Sequence, residues 1–160
     1  MYIFYLERGF LIQKCYNFSR NRLTSEKKMK KLYISSTTLL FHLSENQDFG
    51  RVVENLVINS SKARFFWRRG TSEVDCILLN EGTTIPFQSK YKNDIKKKEL
   101  KGLIKFLKEF SVKKGYVITK ESDEEVMVDE HQIIFLPLWK WLLQFDKIAT
   151  ENTVQNRVDF

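Results

Sequence analysis

The sequence predicts an α/β protein built around a central mixed sheet. Short runs rich in β-branched and aromatic residues alternate with two longer stretches whose apolar residues recur at helical spacing. From residue 49 onward the predicted order is helix, three strands, helix, strand. A tight-turn signal joins the second and third of these strands into a hairpin. These patterns indicate one sheet that carries the core of the domain.

Two strands and one short helix are predicted before residue 49. The strands are Phe10–Phe18 and Met29–Ile34, and the basic, turn-like stretch Ser19–Lys28 joins them. A short apolar helix is expected at Thr37–Leu43. The pattern of predicted elements changes near residue 49, where a longer helix begins.

The first helix after this point is predicted at Phe49–Asn59, because apolar residues recur there at positions 49, 52, 53, 56 and 57. Glu54 lies near the edge of this apolar stripe. Three strands come next, at Ala63–Arg68, Val74–Leu79 and Ile85–Tyr91. Their spacing is that of consecutive, closely connected strands.

The C-terminal third is predicted to return to helix. A second amphipathic helix is expected at Ile95–Phe110, followed by a buried strand at Gly115–Thr119. The acidic stretch Glu121–Glu130 leads to a strand at Ile133–Leu136 and to a Trp-rich helix at Leu138–Phe145. In that helix we expect the tryptophan at 139 to be in the core and that at 141 to face a partner. The last dozen residues are expected to fray.

Composition limits the classes of function. The chain has 160 residues, of which 42% are hydrophobic, which is ample for a buried core. Its net charge of +7 favours an anionic partner without distinguishing nucleic acid from other anionic surroundings. Cys15 and Cys76 lie far apart, so we expect a reducing, cytoplasmic location. Because only His42 and His131 are present, any metal should be hard and bound by oxygen. We expect no membrane span and no membrane partner.

The predicted hairpin turn sets a register. Glu81-Gly82 is a plausible tip of the turn. If Asn80 pairs with Thr83, the same register places Asp75 directly opposite Gln88. Directly opposed residues share a face of a sheet.

The same register brings four polar residues together. Gln88 and Lys90 point the same way because side chains alternate along a strand, so both should converge with Asp75. Glu54 should lie within side-chain reach on the neighbouring helix. Glu73 falls opposite Lys90, and we expect it to be a surface partner of that lysine. This is the geometry of a magnesium-dependent phosphodiesterase site.

The order of elements and of these residues resembles the PD-(D/E)xK nuclease superfamily, which includes many restriction endonucleases and archaeal Holliday-junction resolvases. Glu54 matches the acid on the first helix, and Asp75 matches the acid on the second strand. Gln88 and Lys90 match the (Glu or Gln)-x-Lys pattern on the third strand. The resemblance implies a restriction-endonuclease-like core.

A narrower resemblance is to the C-terminal region, of unknown function, of archaeal and bacterial AAA-type ATP-binding proteins. The segments that carry it are GRVVENLV at 50–57, FFWRRGTSEVDCIL at 65–78, IPFQSKY at 85–91, LKGLIKFLKEF at 100–110, KGYVITK at 114–120 and the closing IIFLPLWKWL. In that family the region comes after an ATPase and a winged-helix segment, and YLERGFLIQKCYNFS with KKLYIS is similar to the end of a recognition helix and its two-stranded wing. The chain has no Gly-Lys dipeptide and hence no P-loop.

The resemblance implies a truncated or stand-alone version of that region. Its expected organisation is a partial winged-helix segment with a connecting helix at 1–45, a nuclease-like domain at 46–147 and a C-terminal tail at 148–160.

The chemistry gives each candidate residue a role. Mg²⁺ or Mn²⁺ would polarise a phosphate and activate water, with carboxylate and carbonyl oxygens as ligands. Asp75 is the expected main ligand, Gln88 offers a neutral amide oxygen, and Glu54 binds directly or through water. Lys90 would orient the water or stabilise the transition state. Most superfamily members have Glu at the position of Gln88, so metal binding should be weaker unless Glu54 supplies the missing charge.

A basic surface is the candidate nucleic-acid site. The second amphipathic helix carries lysines opposite its apolar side, namely Lys97, Lys101, Lys105 and Lys108. They form either a solvated face or a surface that tracks phosphates. Arg68 is expected to line the edge of the site.

Three functional hypotheses remain open from the sequence. The first is a metal-dependent endodeoxyribonuclease, or a remnant of one, which in this fold often acts as a homodimer. The second is a catalytically silent DNA-binding or interaction module that serves an ATPase on another chain. The third is a truncated product without an independent role. Gln88 favours the second and third hypotheses, whereas Glu54, Asp75 and Lys90 favour the first.

Overall fold

The structure is a computed structural model that describes residues 2–43, 48–80 and 82–155. Glu81, at the expected hairpin tip, lies outside the described residues, as does the end of the expected tail at 156–160. In the part of the chain that the structure describes, no helix combines the length and the apolar character needed to cross a bilayer.

The described residues form six α-helices and eight strands. The helices are α1 (Tyr2–Arg8), α2 (Arg22–Lys27), α3 (Thr37–Leu43), α4 (Phe49–Ser61), α5 (Lys101–Phe110) and α6 (Leu138–Gln155). The strands are β1 (Ile12–Asn17), β2 (Lys30–Ile34), β3 (Phe65–Arg69), β4 (Ser72–Asn80), β5 (Thr83–Ser89), β6 (Lys114–Thr119), β7 (Glu124–Val128) and β8 (His131–Pro137). A 3₁₀ turn at Lys97–Leu100 precedes α5.

All the described strands form one mixed sheet in the order β2-β1-β3-β4-β5-β6-β8-β7. The hairpins β1–β2, β3–β4, β4–β5 and β7–β8 are antiparallel, while β5–β6 and β6–β8 are parallel. The predicted α/β class and mixed sheet are confirmed.

Core side chains cover both faces of this sheet. On β4, Cys76 packs in a cluster with residues of α4 and α6, whereas Ile77 packs on the other side with residues of α5. Strands that are buried on both faces carry nearly continuous apolar runs, such as YVI in β6 and IIFLP in β8. Helices therefore lie on both sides of the strands that carry the predicted site.

The register of the β4–β5 hairpin agrees with the prediction. Asn80 pairs with Thr83, and the antiparallel ladder continues to Cys76 opposite Phe87. Gly82 has a φ of 85°, in the left-handed region that tight hairpin turns require. The local sequence pattern was therefore sufficient to align these two strands.

The N-terminal hairpin continues the central sheet. β1 runs parallel to β3, with Tyr16 beside Phe65 and Asn17 beside Phe66. The resemblance implies that this hairpin is the wing of a partial winged-helix segment, and that assignment stays a prediction. In the structure the hairpin brings β2 alongside α4, with the Ile34 N–H donating to the Asn55 side chain at 3.0 Å.

Several local predictions need correction. The basic stretch 19–28 contains α2, whose start is capped by the Asn21 side chain accepting from the Leu23 N–H. The acidic stretch 121–130 contains β7, an edge strand paired with β8. α6 also continues to Gln155 rather than ending at Phe145. These elements depend on a partner strand or a cap that an apolar pattern does not reveal.

The two tryptophans of α6 were assigned the wrong way round. Trp141 is fully buried and packs against Phe87 and Phe145, whereas Trp139 is 60% exposed. Leu138, Trp141 and Phe145 recur at helical spacing and share the buried face. The side of the helix that carries Leu138 faces the core, and Trp141 rather than Trp139 lies on that side.

Candidate metal centre

A cleft of about 450 Å³ opens where β4 begins, β5 ends and α5 starts. Its lining residues are Thr71, Ser72, Glu73, Asp75, Gln88, Lys90, Lys98, Glu99, Lys101 and Gly102. Three of the four predicted catalytic residues, Asp75, Gln88 and Lys90, thus line one cleft. The fourth, Glu54, reaches the carboxylates of this cleft from α4.

Asp75 meets β5 through its side chain. The Ser89 N–H donates to Asp75 Oδ2 at 2.8 Å. The expected pairs of Asp75 with Gln88 and of Glu73 with Lys90 are not part of the β4–β5 ladder, which ends one position earlier. The carboxylate of Asp75 therefore lies at the point where the two strands stop pairing.

Three carboxylates converge beside this point. Glu54 on α4 and Glu73 and Asp75 on β4 each offer an oxygen, and these oxygens all lie within 4.8 Å of one another. All three residues are partly buried. Like charges so close together repel, so the cluster needs positive charge to be stable.

Glu73 has a different role from the expected one. It forms ion pairs with Lys31 and with Arg68, whose Nε lies 3.6 Å from Glu73 Oε2. The expected surface pair with Lys90 is not among the ion pairs of the described residues. Glu73 therefore belongs to the carboxylate cluster, and Arg68 lies at its edge.

Two residues of β2 complete the cluster, and sequence reasoning missed both. Lys31 Nζ lies 2.9 Å from Glu54 Oε1 and also contacts Glu73 Oε1. The Tyr33 hydroxyl donates to the same Glu54 oxygen at 2.6 Å. Lys31 and Tyr33 are two positions apart on one strand and so share a face. That spacing was visible in the sequence, but the pairing of β1 with β3 that brings them here was not.

The cluster perturbs the pKa of Asp75. Burial, followed by the negative charge of Glu54, raises this pKa from 3.8 to about 7. The hydrogen bond from Ser89 and the positive charges of Lys31 and Lys90 act in the opposite direction. A carboxyl group in this state exchanges its proton near neutral pH.

The surrounding groups keep their usual protonation states. Burial, followed by the charge of Glu54, raises the pKa of Tyr33, so its hydroxyl remains a hydrogen-bond donor. Burial by itself lowers the pKa of Lys31, but the attraction of Glu54 and the hydrogen bonds with Glu73 and Glu54 raise it above its ordinary value. Lys31 is therefore a charged ammonium inside the cluster.

Gln88 has an unusual environment for a polar residue. It is only 5% exposed, and its Oε1 is buried without a hydrogen-bond partner among the described residues. An unpartnered buried amide oxygen costs free energy unless another group satisfies it. Lys90, two positions on, is partly buried and close enough to act on the pKa of Asp75.

Gly102 allows α5 to approach β4 closely. A Cβ at this position would lie 2.9 Å from the backbone nitrogen of Glu73 and closer still to its carbonyl oxygen. Only glycine fits such an approach of two backbones. The 3₁₀ turn with Lys98 and the start of α5 with Lys101 therefore form one wall of the cleft.

The predicted lysine face is divided. Lys101 lines the cleft and Lys105 is exposed on α5, while Lys97 lies in the preceding 3₁₀ turn. Lys108 forms an ion pair with Asp129 at 2.5 Å. Positive charge available to an anionic ligand is therefore concentrated at the beginning of the helix.

A protein-family model described as a domain of unknown function, DUF4143, matches residues 49–141, which is more than half of the chain. The chain belongs to the DUF4143 family. The matched part of this DUF4143 protein runs from α4 into α6 and includes Glu54, Glu73, Asp75, Gln88 and Lys90. Lys31 and Tyr33 lie outside it.

One relative of the DUF4143 protein is an uncharacterized protein of Methanocaldococcus jannaschii, 29% identical over 159 residues. The match covers 90% of this chain and 36% of the relative, so the chain spans about a third of the relative's length. No solved structure matches the chain. The predicted relationships to a domain of unknown function and to an archaeal protein are confirmed.

Proposed function

We propose that this DUF4143 protein is a metal-dependent nuclease-like module that acts on DNA. The observation that carries the proposal is the convergence of three carboxylates beside a buried amide oxygen that lacks a partner among the described residues. Acidic clusters alone are common on proteins. A buried oxygen without a partner in the lining of the same cleft is rare, and a cation bound in the cleft would satisfy it.

The donor set fits Mg²⁺ or Mn²⁺. Hard divalent cations prefer carboxylate and amide oxygens, and Glu54, Asp75 and Gln88 supply these. We propose that Asp75 is the main metal ligand and that Glu54 and Gln88 are further ligands supplied by the protein. The two histidines of the chain are not part of the cluster.

The bound cation would polarise a phosphate group and lower the pKa of a water molecule. The protein's own residues hold and neutralise the reacting groups. Lys90 lines the cleft beside Asp75 and can stabilise negative charge that develops on a phosphate. Asp75, with a pKa of about 7, releases its proton when it becomes a ligand.

The charge of the protein and of one cleft wall favours DNA as the substrate. The chain carries a net charge of +7, and Lys98 and Lys101 line the cleft next to the carboxylates. Phosphate contacts of this kind give affinity without sequence specificity. The neutral side chain of Gln88 removes one ligand charge, so we expect cleavage to be slow.

A second candidate function is a catalytically inactive DNA-binding or interaction module of an ATPase-associated system. Gln88 in place of a carboxylate favours it. The chain also corresponds to about a third of its archaeal relative, which leaves room there for other domains. In this case DNA binding would persist without cleavage.

Calorimetric titration with Mn²⁺ tests the metal centre. The wild type should bind one equivalent of Mn²⁺. Asp75→Asn should bind Mn²⁺ at least ten-fold more weakly, because it loses a ligand charge. Asp94 is exposed, and the control variant Asp94→Asn should match the wild type. Nicking of supercoiled plasmid in Mn²⁺ should be slow and should disappear in Asp75→Asn. Absence of Mn²⁺ binding at millimolar concentration would refute the metal centre, whereas metal binding without nicking would favour the second candidate.

A further inference from the structure

The N-terminal hairpin places an ammonium group between two of the carboxylates. Lys31 Nζ is 2.9 Å from Glu54 Oε1 and also contacts Glu73. The position of Nζ is supported by the rings of Phe66, at 5.3 Å, and Tyr33, at 5.9 Å. The Lys31 side chain is 23% exposed, so the protein does not enclose it completely.

We propose that Lys31 is an internal counter-cation that competes with the divalent metal for the carboxylates. The inference rests on the proposed function, because it assumes that the cluster binds a metal. It adds Glu73 to the ligands, since Glu73 belongs to the same group of oxygens. Lys31 neutralises the metal-free cluster and must leave Glu54 and Glu73 when a metal binds.

Competition results from the shared oxygen. Glu54 Oε1 already accepts hydrogen bonds from Lys31 and Tyr33, which occupy its lone pairs. A cation bound to that oxygen would stand within a few ångströms of Nζ, where charges of the same sign repel strongly. Glu54 Oε1 therefore cannot bind the Lys31 ammonium group and a divalent metal ion at the same time without weakening both contacts.

Lys31 is suited to being displaced. Its charge sits on a flexible four-carbon stem, and the side chain is partly exposed. Arg68 is the other cation on Glu73, but among the ion pairs of the described residues it contacts Glu73 alone, at 3.6 Å, and it is 47% exposed. Lys31 is therefore the residue that sets the metal concentration at which the site fills.

The test is calorimetric Mn²⁺ titration of the full chain with substitutions at Lys31. Lys31→Met should tighten Mn²⁺ binding about ten-fold or more, because the competing charge is gone. Lys31→Gln should tighten Mn²⁺ binding in the same way. Its side chain is polar, so it serves as the second neutral variant if Lys31→Met folds poorly. Lys31→Arg keeps the charge and should stay close to the wild type.

Lys30→Met is the matched control. Lys30 is the neighbouring residue on β2, is exposed, and places its Nζ over the Tyr16 ring at 5.7 Å. The substitution removes the same charge from the same strand and should change Mn²⁺ affinity less than about two-fold. A tightening of equal size in this control would mean that only net charge matters and would overturn the proposal.

The remaining outcomes separate this inference from the metal centre itself. If the wild type binds Mn²⁺ and both neutral Lys31 variants bind it no more tightly, the competition is refuted and the metal centre stands. If neither the wild type nor the variants bind Mn²⁺ at millimolar concentration, the metal centre is refuted and the competition with it. Binding that occurs only in the neutral Lys31 variants would support the competition, and it would refute a metal centre that fills in the wild type.

Discussion

Replacing Asp75 with asparagine should remove a pH-dependent loss of stability. The pKa of Asp75 is about 7 in the folded protein against an ordinary value of 3.8, so the folded state holds a proton that the unfolded state has released. Between these pH values the folded state binds more protons, and its stability falls as the pH rises. The stabilising contribution is fully present below about pH 4 and is lost as the pH passes through about 7.

The magnitude is set by the two pKa values. The difference between 3.8 and about 7, at about 1.4 kcal/mol per pH unit, gives an upper bound of about 4 kcal/mol. Asparagine mimics the neutral carboxyl group and can still offer an oxygen to the Ser89 N–H. The Asp75→Asn variant should therefore gain stability relative to the wild type as the pH rises.

Urea unfolding between about pH 4 and about pH 8 measures this effect. The difference in the free energy of unfolding between Asp75→Asn and the wild type should grow across the range, while Asp94→Asn should behave like the wild type. Glu54→Gln should narrow the pH range over which the wild type loses stability, because the charge of Glu54 is the second largest cause of the raised pKa of Asp75. A difference between Asp75→Asn and the wild type that is constant with pH would refute the reasoning.

Three further predictions concern the cleft. Gly102→Ala should lower the free energy of urea unfolding by about 1–3 kcal/mol, because the added Cβ would press on the Glu73 backbone. In Gly115→Ala the added Cβ meets leucine side chains that can move, so this control variant should lose less stability. Equal losses in the two variants would contradict this. Gln88→Glu should tighten Mn²⁺ binding in calorimetry by adding a ligand charge, and unchanged affinity would mean that this side chain is not a ligand. DNA binding, measured by fluorescence anisotropy, should fall steeply with salt, and Lys101→Gln should reduce the salt slope by about one, because Lys101 lines the cleft. A salt-independent affinity would point to a protein partner.

The sequence by itself determined the local geometry of the site. Alternation along β4 and β5, together with the turn between Asn80 and Thr83, aligned the two strands up to Cys76 and Phe87. The apolar stripe of α4 also placed Glu54 at the edge of the helix. These features depend on backbone periodicity and turn geometry, which act over a few residues and are therefore readable in the chain.

The tertiary structure decided how the site is completed. Only the parallel pairing of β1 with β3 brings Lys31 and Tyr33 onto Glu54, and only this placement turns Glu73 from a surface residue into a member of the cluster. Parallel pairing between distant strands has no turn to signal it, because its partners are chosen by packing of the whole sheet. The charge balance of the carboxylate cluster is therefore a property of the assembled sheet, while the places of Asp75 and Gln88 on their strands are a property of local sequence.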